Sequence, residues 1–166
     1  FLKGKSFENI RNRVNKFHRE HPEAEIRLFE ADHYDDLLTL GKTWKDTSGK
    51  KYSHVYDGVY YKQLVKHYRE LNQKILTVRI DGKLVGMISG SGLPNGQAWG
   101  SVIKFAQGIP GLSETLTVEF AKLLYKPKGG PEFLNVGSDL GFEGLKMFKL
   151  KFRPVLNYRR YELFLK

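Results

Sequence analysis

No cysteine occurs among the 166 residues, which excludes disulfides, thiolate zinc sites, iron–sulfur clusters and a cysteine nucleophile. A reducing, intracellular setting fits that lack. No apolar run approaches the ~18–20 residues needed to span a bilayer, and the start shows no signal-peptide pattern. The five histidines, His18, His21, His33, His54 and His67, show neither H-x-x-x-H nor H-E-x-x-H spacing, so they read as surface or core residues and no metal site is expected. Acidic residues are also few, 18 against 28 Lys and Arg. That balance gives a formal charge of +10.

Such a charge points to anionic partners, whether phosphates, nucleic acid or lipid head groups, without choosing among them. It is uneven: residues 142–166 hold Lys146, Lys149, Lys151, Arg153, Arg159, Arg160 and Lys166 against Glu143 and Glu162. Hydrophobic residues make up 40% of the chain, with 11 Phe and 9 Tyr, ample for a packed core. The length fits one domain spanning 1–166 on a ~100–200 residue prior. Because the first residue is Phe rather than Met, the expectation is a piece of something longer, with 1–20 a helix leading from an upstream part.

Apolar spacings of three and four from Phe7 to Phe17 predict an amphipathic helix with Ser6 as N-cap, ended by His21-Pro22. Residues 24–30 alternate like a strand. Tyr34, Leu37, Leu38, Leu40 and Trp44 predict a helix, residues 47–54 a polar loop, and Val59 to Leu71 another helix. Lys74–Ile80, Asp81-Gly82 and Lys83–Gly90 form a hairpin signal, because Asp-Gly supplies the positive φ of a two-residue turn. A second turn at 93–97 leads into a strand at 98–106, completing an antiparallel meander. There follow a glycine turn, a helix from Leu112 or Ser113, a break at 126–131, a strand at 132–137, a helix at 141–152 and a strand at 155–165. The fold class is therefore α/β (α+β): a mixed, mainly antiparallel twisted sheet with helices on both faces.

Two segments carry candidate chemistry. The turn Gln107-Gly108-Ile109-Pro110-Gly111 enters a helix at Leu112-Ser113, and free N–H groups at a helix start favour phosphate. It lacks the Lys-Ser or Lys-Thr of a P-loop. The second segment runs from Asn135-Val-Gly137-Ser-Asp139-Leu-Gly141 into Gly144-Leu-Lys146-Met-Phe-Lys149 and on to Phe152-Arg-Pro154. Asp139 lies just past a predicted strand, where open α/β sheets place ligands, and serves equally well as a helix cap together with Ser138. Lys146 and Lys149, three apart, share a helix face and could present two cations to an anion, or simply form a solvated face. Tyr158 and Tyr161 are possible proton donors, although terminal tyrosines often serve packing.

The order of elements, with Gln107, Gly108 and Gly111 in the turn, resembles the GNAT acyltransferase fold. That resemblance implies binding of coenzyme A by Gln107, Gly108, Ile109, Gly111, Leu112 and Ser113, although Leu112 and Ser113 stand where the family has another small residue. In many of these enzymes a tyrosine after the fifth strand protonates the leaving thiolate; here Phe142 and Phe148 are present instead. The second segment, together with Asn9-Ile-Arg11-Asn-Arg13-Val-Asn15-Lys-Phe17, resembles the C-terminal domain of the phosphatidylglycerol lysyltransferase family. That resemblance implies the second of two tandem GNAT-like domains. It also implies transfer of an acyl or aminoacyl group, from acyl-CoA (acetyl-CoA) or aminoacyl-tRNA, to an amine or hydroxyl acceptor. The catalytic candidates are Asp139, Lys146, Lys149 and Tyr158, the implied acceptor lies at a membrane surface, and the implied location is cytoplasmic or the inner membrane face. No metal is required, because the acceptor attacks an already activated carbonyl. The competing expectation is a noncatalytic GNAT-like module binding nucleic acid or an anionic membrane surface.

Overall fold

The computed structural model describes residues 2–30, 33–52, 57–126 and 129–157. A 3-10 turn at Lys5–Phe7 opens into α1 (Glu8–Glu20), followed by β1 (Glu25–Leu28), α2 (Tyr34–Asp46), a 3-10 turn at Ser48–Tyr52 and α3 (Asp57–His67). The chain then builds β2 (Lys74–Ile80), β3 (Lys83–Gly92), β4 (Gln97–Phe105), α4 (Leu112–Leu124), β5 (Phe133–Asn135) and α5 (Glu143–Leu150). Asp81 and Gly82 both have positive φ, 49° and 73°, as a tight β2–β3 turn requires.

The five strands lie in sequence order, antiparallel from β1 to β4, with β5 parallel to β4. Each sheet face buries its own helices. On one face Phe17 of α1 and Leu112, Leu116 and Phe120 of α4 pack on Val78, Ile88 and Ala98. On the other face Leu37 and Leu40 of α2 and Leu64 and Val65 of α3 pack on Ile75, Met87 and Val102. Each such fully buried apolar side chain stabilises the fold by about 1.5–3 kcal/mol, so the two-sided sheet rests on these layers. A smaller cluster joins α1 to α4 through Ile10, Val14 and Val118, with Phe152 packed against it.

The parallel pair is short. Gln97, Ala98 and Trp99 match Phe133, Leu134 and Asn135, and β4 then continues for six residues without a partner on that edge among the described residues. At 3.3 Å per residue this separates the two strand ends by roughly 20 Å. The loop after β5 and the turn after β4 thus open at the same end of the sheet but at different heights.

Several local expectations shift. Ser6 lies inside the opening 3-10 turn, and Phe7 stands at the N-cap of α1 without a side-chain cap bond. The polar stretch 47–54 is helical at Ser48–Tyr52, with His54 outside the described residues. The helix expected over 141–152 is confined to Glu143–Leu150, because Leu140 and Gly141 have positive φ, and the strand expected over 132–137 narrows to Phe133–Asn135. Residues 155–157 are not strand, and the remainder of the expected terminal strand, with Tyr158 and Tyr161, lies outside the described residues.

Candidate functional site

The segment after β5 is a series of side-chain-closed turns. The Gly137 N–H donates to Asn135 Oδ1 (2.9 Å), the Leu140 N–H to Ser138 Oγ (3.0 Å) and the Gly141 N–H to Asp139 Oδ1 (3.0 Å). Each bond spans two residues, the pattern in which short polar side chains replace secondary structure. Lys149 closes the loop from α5. Its Nζ donates to the carbonyls of Val136 (2.6 Å), Gly137 (2.8 Å) and Ser138 (2.7 Å), one for each proton of an ammonium. Burial lowers the Lys149 pKa, with the nearby Asp139 charge pulling the other way.

Lys146, expected to act beside Lys149, instead faces solvent, 3.5 Å from Glu143. The two lysines therefore do not present a shared pair of charges. Asp139 is half-buried, and it caps the turn before α5 rather than the helix itself, whose N-cap is Phe142.

The six residues of the glycine turn divide into two groups. Gln107 and Gly108 are exposed, and nothing lies within 4 Å of where a Gly108 side chain would stand. Leu112 and Ile109 turn into the core. Gly111, with φ 81°, sits at the N-cap of α4 against the Arg13 carbonyl and Phe17 Cβ of α1. Ser113 donates its hydroxyl proton to Glu114 Oε2 (2.9 Å).

Glu114 was not apparent from sequence. Its side chain is 3% exposed, 3.0 Å from Lys151 Nζ and 3.6 Å from Arg13. Burial pushes its carboxyl up, but bonds from Lys151, Ser113 and its own N–H, with the Lys151 charge, outweigh this and hold its pKa below the usual value. Three separately chosen segments, the N-terminal run, the glycine turn and the α5 run, therefore converge on one carboxylate. The available signal was spacing: Glu114 stands four residues before Val118, on the stripe of α4 that α1 covers.

The space that Gly111 leaves is taken by α1, and a buried carboxylate already occupies the first turn of α4. A broad cavity of about 420 Å³ opens elsewhere, between Asn72, Lys74, Ser91, Gln97 and Lys126, and none of the predicted site residues lines it. Lys104, another buried cation not anticipated, sits 3.2 Å over the Trp44 ring. Among the described residues no cluster of His, Asp or Glu could hold a metal, and no helix is long and apolar enough to cross a membrane.

The family profile described as phosphatidylglycerol lysyltransferase, C-terminal, matches residues 1–164. The chain belongs to that family. A conserved protein of unknown function from Bacteroides thetaiotaomicron VPI-5482 superposes with a TM-score of 0.83 at 24% identity, over 93% of this chain and 52% of that one. The C-terminal domain of a putative lysylphosphatidylglycerol synthetase from Agrobacterium fabrum gives 0.61 at 21%, again over 93% and 52%. The PaiA N-acetyltransferase from Thermoplasma acidophilum, in complex with coenzyme A, gives 0.53 at 19%, over 76% and 86%. The fold is thus that of the GNAT acetyltransferases, and the chain spans about half the length of the first two structures. No curated protein matches it in sequence.

Proposed function

We propose that the domain transfers an aminoacyl group from an aminoacyl-tRNA to a hydroxyl or amine acceptor, a lipid head group by the family's description. The observation that carries this reading over an acyl-CoA donor is the filled first turn of α4. With α1 against Gly111 and the Glu114 carboxylate, ion-paired with Lys151 and Arg13, against the first turn, the start of α4 is already committed to helix packing and to an internal anion. An ester-linked aminoacyl group needs no pyrophosphate cradle.

The chemistry is acyl transfer. The acceptor oxygen or nitrogen bonds to the ester carbonyl carbon, the ribose oxygen leaves, and the acceptor's proton passes to a base while the leaving oxygen regains one. In this reading Asp139 is the base: Oδ1 is engaged by Gly141, and Oδ2 makes no hydrogen bond among the described residues. Lys149 is a positioning residue that holds Asp139's loop. Tyr158 remains the candidate proton donor to the leaving oxygen. The length of the two relatives supports an upstream domain as partner, and the expected location is the cytoplasmic face of a membrane.

The coenzyme A complex of the Thermoplasma neighbour favours the second reading, an acyl-CoA donor. Calorimetric titration with coenzyme A, acetyl-CoA and tRNA at two salt concentrations separates them. The expected result is salt-sensitive tRNA binding without coenzyme A binding, followed by transfer of labelled lysine from lysyl-tRNA to phosphatidylglycerol. Micromolar coenzyme A binding overturns the donor assignment, and tRNA binding without transfer makes the domain a noncatalytic module.

A further inference from the structure

Residues 21–141 hold 15 Lys and Arg against 14 Asp and Glu, whereas residues 1–20 and 142–166 together hold 13 against 4. Nine of the ten net positive charges therefore belong to the two ends of the chain. Among the described residues, α1 and residues 151–152 meet: Phe152 packs against the cluster of Ile10, Val14 and Val118, and Arg13 and Lys151 meet at Glu114. The described parts of those ends, residues 2–20 and 142–157, hold 10 Lys and Arg against 3 Asp and Glu, and of these Arg13 and Lys151 are paired with Glu114.

The same region is unusually apolar on its outside. Of the fourteen large hydrophobic side chains exposed among the described residues, six fall between 136 and 156: Val136, Leu140, Met147, Leu150, Val155 and Leu156. Met147 is 54% and Val155 79% exposed. On α5, Glu143, Lys146, Met147 and Leu150 fall on one outward face, with Lys146 3.5 Å from Glu143 and Arg153 just beyond. Leu140 is held outward at φ 55°, a conformation costly for leucine, in a loop fixed by Ser138 and Lys149.

We infer that residues 136–156 form a docking surface for an anionic lipid bilayer. Leu140, Met147, Leu150, Val155 and Leu156 enter the head-group boundary, while Lys146 and Arg153 meet lipid phosphates. Exposed aliphatic side chains interleaved with lysine and arginine suit a lipid interface, where apolar insertion and charge attraction add. A nucleic-acid backbone uses the charges alone and leaves those side chains in water. The inference does not depend on the transfer reading, because bilayer binding is measured without donor or turnover.

The test is co-sedimentation with vesicles of phosphatidylcholine alone and of phosphatidylcholine with phosphatidylglycerol at about 30%. Wild type is expected to pellet with the anionic vesicles and bind the neutral ones weakly. Met147→Ser with Leu150→Ser should reduce binding roughly tenfold at unchanged Tm. Leu140→Ser, in the loop instead of the helix, should reduce it on its own. Lys146→Glu with Arg153→Glu should weaken binding and flatten its salt dependence. Wild type remaining in the supernatant overturns the inference. So does unchanged binding by both the Met147/Leu150 and Leu140 variants, which would reduce the effect to charge adsorption. A wild-type dimer that the Met147/Leu150 variant converts to monomer, without vesicle binding, assigns the patch to a second copy and overturns it equally.

Discussion

The carbonyl of Arg13 fills the space beside Gly111 where a side chain would have to stand. Gly111 is therefore a packing glycine that lets α1 close on the start of α4, while Gly108, three residues past β4 and with φ 83°, faces open space. Gly111→Ala is expected to destabilise the domain by about 3 kcal/mol or more, combining left-handed backbone strain with displacement of α1. Gly108→Ala carries the strain alone, about 1 kcal/mol. Urea denaturation of the two variants checks this, and equal losses would show that α1 does not seal the turn.

Glu114 makes the α1–α4–α5 junction sensitive to acid. Its folded pKa lies below the unfolded value of 4.5, so the stability it contributes is fully present above that value and is lost as pH falls through the folded pKa. Glu114→Gln removes the charge and leaves Arg13 and Lys151 facing an amide. The expected cost near pH 7 is about 2 kcal/mol, read as a Tm several degrees lower. That gap should narrow as wild type is taken below pH 4.5. A gap independent of pH would show that shape, and not charge, holds the junction.

Periodicity and turn chemistry made the meander, the helices on both faces and the break at 126–131 legible, because Asp81-Gly82 and the apolar spacings act locally. Glu114 was opaque for the opposite reason: its partners, Arg13 and Lys151, lie about 100 and 37 residues away, and an acidic residue in a first helical turn is ordinary by itself. Lys149 was found as a candidate but its use was not. Spacing put it beside Lys146, whereas tertiary structure turned it onto three carbonyls twelve residues upstream. The contact of Gly111 with α1 is not legible in the sequence, because a glycine required by a neighbouring helix and one required by a phosphate look alike there.

Lys149→Met should release the loop between β5 and α5. It deletes three charge-assisted bonds to carbonyls from a half-buried amine, a loss of about 2 kcal/mol of local stability. Hydrogen exchange is the suitable measurement, since residues 135–141 should lose protection while β2–β4 keep theirs. Lys149→Arg, with a larger and planar head, should restore protection only partly. Loss of protection across the whole sheet would instead mean that the loop is essential to the global fold.

Asp139 separates turn formation from chemistry, because asparagine reproduces one role and not the other. In Asp139→Asn the side-chain oxygen still accepts the Gly141 N–H, so the loop should keep its Tm and its hydrogen-exchange protection. The amide cannot take a proton, so the transfer rate should fall by about 10²–10⁴ while donor binding is unchanged. Asp139→Ala should lose the turn bond and the base together, lowering both protection and rate. If Asp139→Asn transfers at the wild-type rate while Asp139→Ala is slow, the carboxylate acts only through the turn, and the proton acceptor must be sought elsewhere along the loop.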